Sequence, residues 1–151
     1  MKKKQGFTLI EILIVIGIIA ILASVVLIAI NPARQFKLAR DSQRTSNVNA
    51  LLNAIGQNIA ENRGQFYCGT ASTTIPSVTT IIKSSGGFDA ATCLIPTYIS
   101  SLPFDPSASG AHYTSNTDYD TGYTIVRDVN DRITIAAPQT ELTTPAISVT
   151  R

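Results

Sequence analysis

The sequence has one histidine, His112, and only two cysteines, Cys68 and Cys93. One imidazole and two thiols whose spacing matches no zinc pattern leave a metal centre short of ligands, so no metal is assigned. No glycine-rich phosphate loop is present, no nucleophile motif surrounds His112, and the acidic residues form no signature pair. The chain therefore reads as a non-enzyme with no catalytic residues and no cofactor. Charge is missing altogether from Ile12 to Ile30, and large apolar side chains are missing from Arg40 to Asn47. There is no internal repeat.

What is present is unevenly distributed. The 151 residues allow one compact domain, but the apolar residues crowd into the first thirty, and everything after Asn31 is polar and rich in Ser and Thr. The formal charge of +2 is misleading, because Lys2, Lys3 and Lys4 account for three of the twelve cations. Without them nine Lys and Arg face ten Asp and Glu. Such a nearly neutral chain is not a general nucleic-acid binder acting through bulk electrostatics.

From Phe7 to Ile30 the only charge is Glu11. Coiled as a helix at about 1.5 Å per residue, the Ile12–Ile30 run alone approaches the ~30 Å hydrocarbon thickness of a bilayer. In lipid a helix is the one single-segment fold that satisfies its own backbone, so the β-branched content does not weaken that reading. Gly17, Ala20, Ala23 and Ser24 recur at three- and four-residue steps, giving a small side suited to close helix packing, although ordinary membrane composition also explains them. Both cysteines follow this segment. Beyond a cationic, cytoplasmic N-terminus they enter a compartment where oxidation favours a Cys68–Cys93 disulfide over two free thiols.

Asn31-Pro32 interrupts the helix, since proline lacks an amide donor and disfavours helical geometry in the residue before it. Asn31 is placed to cap a second helix with Pro32 in its first turn, running to about Arg63 ahead of Gly64. Val48, Leu51, Leu52, Ile55 and Ile59 form an apolar stripe that packs on the remainder of the chain. The stretch RDSQRTSN, residues 40–47, offers nothing to an apolar core and is expected to face water or other subunits. Arg34, Lys37, Asp41 and Arg44 make a mostly cationic stripe, read as a solvated or headgroup-contacting face.

After Gly64 short elements alternate with Gly, Pro, Ser and Thr. The clearest strands are Tyr123 to Arg127 and Arg132 to Ala136, joined as a hairpin, with another around Ala111 to Thr114. Tyr113, Tyr119 and Tyr123 are expected to be packing residues rather than a binding surface. A core this small needs both a helix on the sheet and a disulfide.

The N-terminus itself carries the most information. An ordinary secretory signal places a small-residue cleavage site after its apolar core, whereas here Gly6 precedes the core. Cutting between Gly6 and Phe7 would remove the basic leader alone and turn the apolar helix into an anchor with a new amino group. In this order of features, and in the residues Gly6, Phe7, Thr8, Leu9, Ile10 and Glu11, the sequence resembles the type IV pilin and type II secretion pseudopilin superfamily.

That resemblance implies cleavage after Gly6 by a prepilin peptidase, N-methylation of Phe7, and an assembly role for Glu11, whose carboxylate would neutralise the Phe7 amine within or between subunits; snorkelling of Glu11 to headgroups is the plainer reading. It implies an α+β fold in which a long N-terminal helix, membrane anchor and assembly stalk, packs through its second half on a small antiparallel β-sheet head. The expected organisation is a prepilin leader (1–6), a transmembrane and assembly helix (7–30), an amphipathic helix continuing the stalk (31–63) and an extracytoplasmic β-rich head (64–151). Expected partners are identical or related pilin subunits, prepilin peptidase, an inner-membrane assembly platform and membrane lipids, with nucleic acid only if the filament serves DNA uptake. The expected location is the cytoplasmic membrane as a single-pass precursor with its head outside, then an extracellular pilus or periplasmic pseudopilus. The alternative is a membrane-anchored extracytoplasmic binding module that does not polymerise.

Beyond the helix the likeness thins. LPFDP, from Leu102 to Pro106, is similar to a segment of some major pseudopilins and is read as a turn. Asn116, Asp118 and Asp120 alternate like calcium ligands, as in some pseudopilins, but Gly122 comes one position late for an EF-hand and Arg127 stands where its distal glutamate belongs. A polar turn ahead of the Tyr123 strand is the expectation there.

Overall fold

The computed structural model describes residues 6–151. The chain divides into two units, one ending at Phe36 and the other spanning Lys37–Arg151. The leader lysines expected at residues 2–4 lie outside the described residues.

In the first unit, helix α1 (Leu9–Ile30) buries none of its residues. At about 1.5 Å per residue its 22 residues are about 33 Å long, enough to cross a bilayer. A soluble core helix of this composition would be buried, so the wholly exposed apolar surface marks a membrane segment. Asn31 ends α1 with a left-handed φ of 48° and starts helix α2 (Pro32–Glu61), its side-chain carbonyl accepting from the Arg34 amide at 3.3 Å. The residue that stops one helix thus caps the next.

In the second unit, the stripe Val48, Leu51, Leu52 and Ile55 is fully buried and Ile59 partly so. It shares its core with strand β5 (Asp118–Arg127) and strand β6 (Ile133–Ala137). Tyr119, Thr121, Tyr123 and Ile125 are buried on alternate positions of β5, as are Ile133, Ile135 and Ala137 on β6, so the period-two pattern presents one sheet face to the core. Both tyrosines are packing residues. The sheet is antiparallel in the order β3 (Thr80–Lys83), β5, β6, β7 (Ile147–Thr150), with β4 (His112–Ser115) also paired to β5. The expected hairpin is the β5–β6 pair, with Ile125 opposite Ile135. A small ladder, β1 (Tyr67–Cys68) with β2 (Ala71–Ser72), and a one-turn helix α3 (Ala91–Leu94) complete the unit.

Three expectations shift. The turn before the hairpin strand lies at Asn116–Thr117, and β5 already begins at Asp118, so Asp118 and Asp120 are strand residues. Helix α2 ends at Glu61, and the first left-handed residue after it is Arg63 (φ 59°), followed by Gly64 (φ 88°). Most consequentially, residues 40–47 face water only in part: Ser42, Gln43, Thr45 and Ser46 are exposed, as are Arg34 and Lys37 of the cationic stripe, but two charged residues turn inward. Asp41 and Arg44 are buried.

Candidate functional site

Thr8 is the N-cap of α1. Its hydroxyl accepts from the Glu11 amide at 3.3 Å, while Glu11 Oε2 accepts from the Thr8 amide at 2.8 Å and the Thr8 hydroxyl at 2.7 Å. This reciprocal capping box satisfies backbone donors that the first turn of a helix otherwise leaves open. The signal Thr-x-x-Glu was visible in the sequence. Sequence reasoning gave Glu11 a role in assembly and overlooked its cap.

Gly6 and Phe7 lie in extended chain just before that cap. Phe7 is 86% exposed, and nothing lies within 4 Å of where a Gly6 Cβ would be. The Gly6–Phe7 bond is thus accessible, and Phe7 immediately precedes the residue whose amide already binds the Glu11 carboxylate. Gly6, Phe7 and Glu11 all lie at the N-terminal end of this apolar helix.

Cys68 and Cys93 are joined by a disulfide that ties β1 to α3. Buried Asn58 holds the same region, accepting from the Tyr67 amide (2.8 Å) and donating to the carbonyls of Tyr67 (2.8 Å) and Cys93 (3.1 Å). Asn58 thereby acts as a substitute strand partner.

The other unforeseen site is the ion cluster around Arg44. All five guanidinium N–H groups are engaged: Nε with Asp105 Oδ2 (2.8 Å), Nη2 with Asp105 Oδ1 (2.9 Å) and Ser107 Oγ (2.7 Å), and Nη1 with Asp41 (2.8 Å) and Glu141 (3.2 Å). Asp41 also accepts from the amides of Glu141 (3.0 Å) and Leu142 (2.9 Å), and Arg40 forks onto Glu141 at 2.5 and 2.7 Å. The buried charges are tolerated because each is paired and hydrogen-bonded. Hydrogen bonds donated to Asp105 hold the Arg44 guanidinium above its ordinary pKa. Burial pushes Asp41 and Asp105 upward, but the donors around each outweigh it and both carboxyls sit low. Glu141, bound chiefly by Arg40, is lowered to about 2. The LPFDP turn is real, with Asp105 Oδ1 accepting from the amides of Ser107 (2.9 Å) and Ala108 (2.8 Å), yet the same carboxylate is the partner of Arg44.

His112 pairs with Asp118 at 3.2 Å on an exposed strand face, and its other ring nitrogen lies 2.7 Å from the Gly110 carbonyl. Hydrogen bonds to the Gly110 carbonyl and to Asp118 raise its pKa. Asn116, with its side-chain carbonyl, accepts from the Tyr113 hydroxyl (2.5 Å), and Asp120 from the Gly122 amide (2.9 Å), so the residues compared with calcium ligands serve the hairpin. Among the described residues no cluster of three or more metal-ligating side chains occurs.

Residues 1–27 match the family described as the prokaryotic N-terminal methylation motif. No curated protein and no solved structure matches the chain. The motif and the exposed apolar helix together fit a single-pass, membrane-anchored precursor destined for a surface filament. Proteins of this motif are structural rather than catalytic, assembled with other pilin subunits after processing by prepilin peptidase. The chain carries, in residues 1–27, the prepilin-type signature of type IV pilins and pseudopilins.

Proposed function

We propose that this protein is a structural subunit of a type IV pilus or pseudopilus, cleaved after Gly6, N-methylated at Phe7 and polymerised through α1. The observation that carries this reading is the Thr8–Glu11 capping box at the start of a membrane-length helix with no buried residue. It keeps an acceptor carboxylate beside the position where cleavage would create a cationic amine. A charge at the edge of an apolar run costs up to about 3 kcal/mol on insertion scales, less near the interface, and an amine–carboxylate pair would offset that cost for both groups. Such a pair would let the helix terminus enter a low-dielectric filament core made of neighbouring α1 helices. The inner-membrane assembly platform and membrane lipids are the further partners of this reading.

Co-expression of the full chain with a prepilin peptidase and an assembly system, followed by shearing and mass spectrometry, tests it. Sheared filaments whose subunits start at methylated Phe7 are expected. A detergent-stable monomer that never forms filaments, or a mature start downstream of Ile21, would overturn it.

A further inference from the structure

Strand β4 is lightly held. Its four residues pair with β5 alone, in a register that shifts between Tyr113 and Ser115. A short strand fastened on one side opens easily, so each side chain that ties it down counts.

His112 begins β4 and stands opposite Asp120 of β5. Its Nε2 lies 3.2 Å from Asp118 Oδ1 and its Nδ1 lies 2.7 Å from the Gly110 carbonyl oxygen. A backbone carbonyl and an ionised carboxylate only accept hydrogen bonds, so both ring nitrogens have to donate for both contacts to be made. Only the imidazolium carries two N–H groups. The surroundings of His112 are therefore those of the charged ring, and a neutral ring would turn a lone pair toward one of its two acceptors.

The charges nearby agree with this geometry. From β5 the ring meets Asp118 and Asp120, while Lys83 of β3 stands opposite Asp120 on the other side of β5. The one other titratable group of β4, Tyr113, turns to Tyr119 with ring centroids 6.1 Å apart. Hydrogen bonds to the Gly110 carbonyl and to Asp118 carry the titration of His112 above the ordinary 6.5.

We propose that His112 is a proton-operated latch on β4: the imidazolium ties the strand and the Gly110 turn to Asp118 of β5, and the neutral imidazole lets Asp118 go. On losing its proton the ring keeps the shorter bond, from Nδ1–H to the Gly110 carbonyl, and Nε2 becomes an acceptor facing an acceptor. The latch is fully closed below the unfolded value near 6.5 and opens as pH rises through the higher folded one. At the other end of the preceding loop Asp105 is clamped by Arg44, a contact weakened by acid, so residues 106–111 are anchored at both ends only between those two limits. The latch belongs to the head alone and stands whether or not the chain forms filaments.

His112 is the single histidine of the chain, so ¹³C-histidine labelling of the full chain in detergent micelles gives one imidazole signal to titrate. That signal is expected to titrate above 6.5 in the parent and lower in Asp118→Asn. Protection of the β4 amides from hydrogen exchange, corrected for the intrinsic pH dependence, should fall at least about threefold between about pH 5.5 and 8, while the Ile133–Ala137 amides hold theirs. In Asp118→Asn and in His112→Gln the β4 protection should be independent of pH over that range. An imidazole that titrates at or below 6.5, or equally in parent and Asp118→Asn, overturns the latch. So does β4 protection that ignores pH in the parent, or that follows pH as strongly in His112→Gln.

Discussion

The Arg44 guanidinium forks onto Asp105 at 2.8 and 2.9 Å, with both side chains wholly buried, and so joins the middle of α2 to a loop 61 residues further along. An apolar stripe fastens α2 to the sheet from Val48 onward. Ahead of that stripe, where RDSQRTSN has no apolar side chain to offer, charge takes over the fastening.

Arg44→Ala should therefore destabilise the head by about 3–5 kcal/mol, since it leaves buried Asp105 and Asp41 without their cation. Arg44→Lys should recover little, because a point ammonium cannot reproduce the planar five-donor fork. Urea unfolding of the two variants and the parent checks both. Equal recovery by lysine would show that charge alone matters at this position.

The same cluster sets a direction for acid stability. Asp41, Asp105 and Glu141 all have folded pKa values below their ordinary ones, so their contribution is fully present above the unfolded values near 4 and is lost as pH falls through the folded ones. The melting temperature should hold from about pH 7 to 5 and fall below about pH 4, with the Glu141 part of the decline near its value of about 2. Glu141→Gln should flatten the curve around that value. Differential scanning calorimetry across this range reads the effect.

The 25-residue separation of Cys68 and Cys93 predicts that opening the disulfide costs on the order of 3 kcal/mol in the chain-entropy account. Thermal melts with and without reductant should show this loss. The Cys68→Ser, Cys93→Ser double variant should melt with the reduced protein, whereas a melting temperature indifferent to reductant would mean that the bond contributes nothing.

Gly6→Leu should block maturation, because the residue before the cut is then branched where the prepilin pattern has glycine. The uncleaved chain would retain Lys2, Lys3 and Lys4, which intact-mass measurement resolves. Trimming to Phe7 at the parent's rate would refute the assigned cleavage position.

Much of the fold was legible where local periodicity carried it. The stripe from Val48 to Ile59 and the β5–β6 hairpin follow from spacing alone, because apolar residues at those intervals have one way to be buried together. The strand beginning at Asp118 was missed since aspartate disfavours strands and here stands on the solvated side of one. Strand β7, with the sequence ISVT, is too short and polar to announce itself. Arg44 was misread because two of its partners, Asp105 and Glu141, lie about 60 and 100 residues away, and the nearby Asp41 alone does not distinguish a buried arginine from a solvated one. The cap formed by Thr8 and Glu11 was fully visible in the sequence and was passed over for the assembly role of the same glutamate.

Filament yield from Glu11→Ala subunits, quantified beside processed subunit in the membrane, is the most direct measurement of the proposed mechanism. Loss of the carboxylate removes the proposed partner of the Phe7 amine and one half of the α1 cap, but leaves the Gly6–Phe7 bond exposed and the Ile12–Ile30 run long enough to span a bilayer. Processing after Gly6 and membrane insertion should therefore stay near parental levels while sheared filament falls more than tenfold. Parental amounts of filament from fully processed Glu11→Ala subunits would contradict the account.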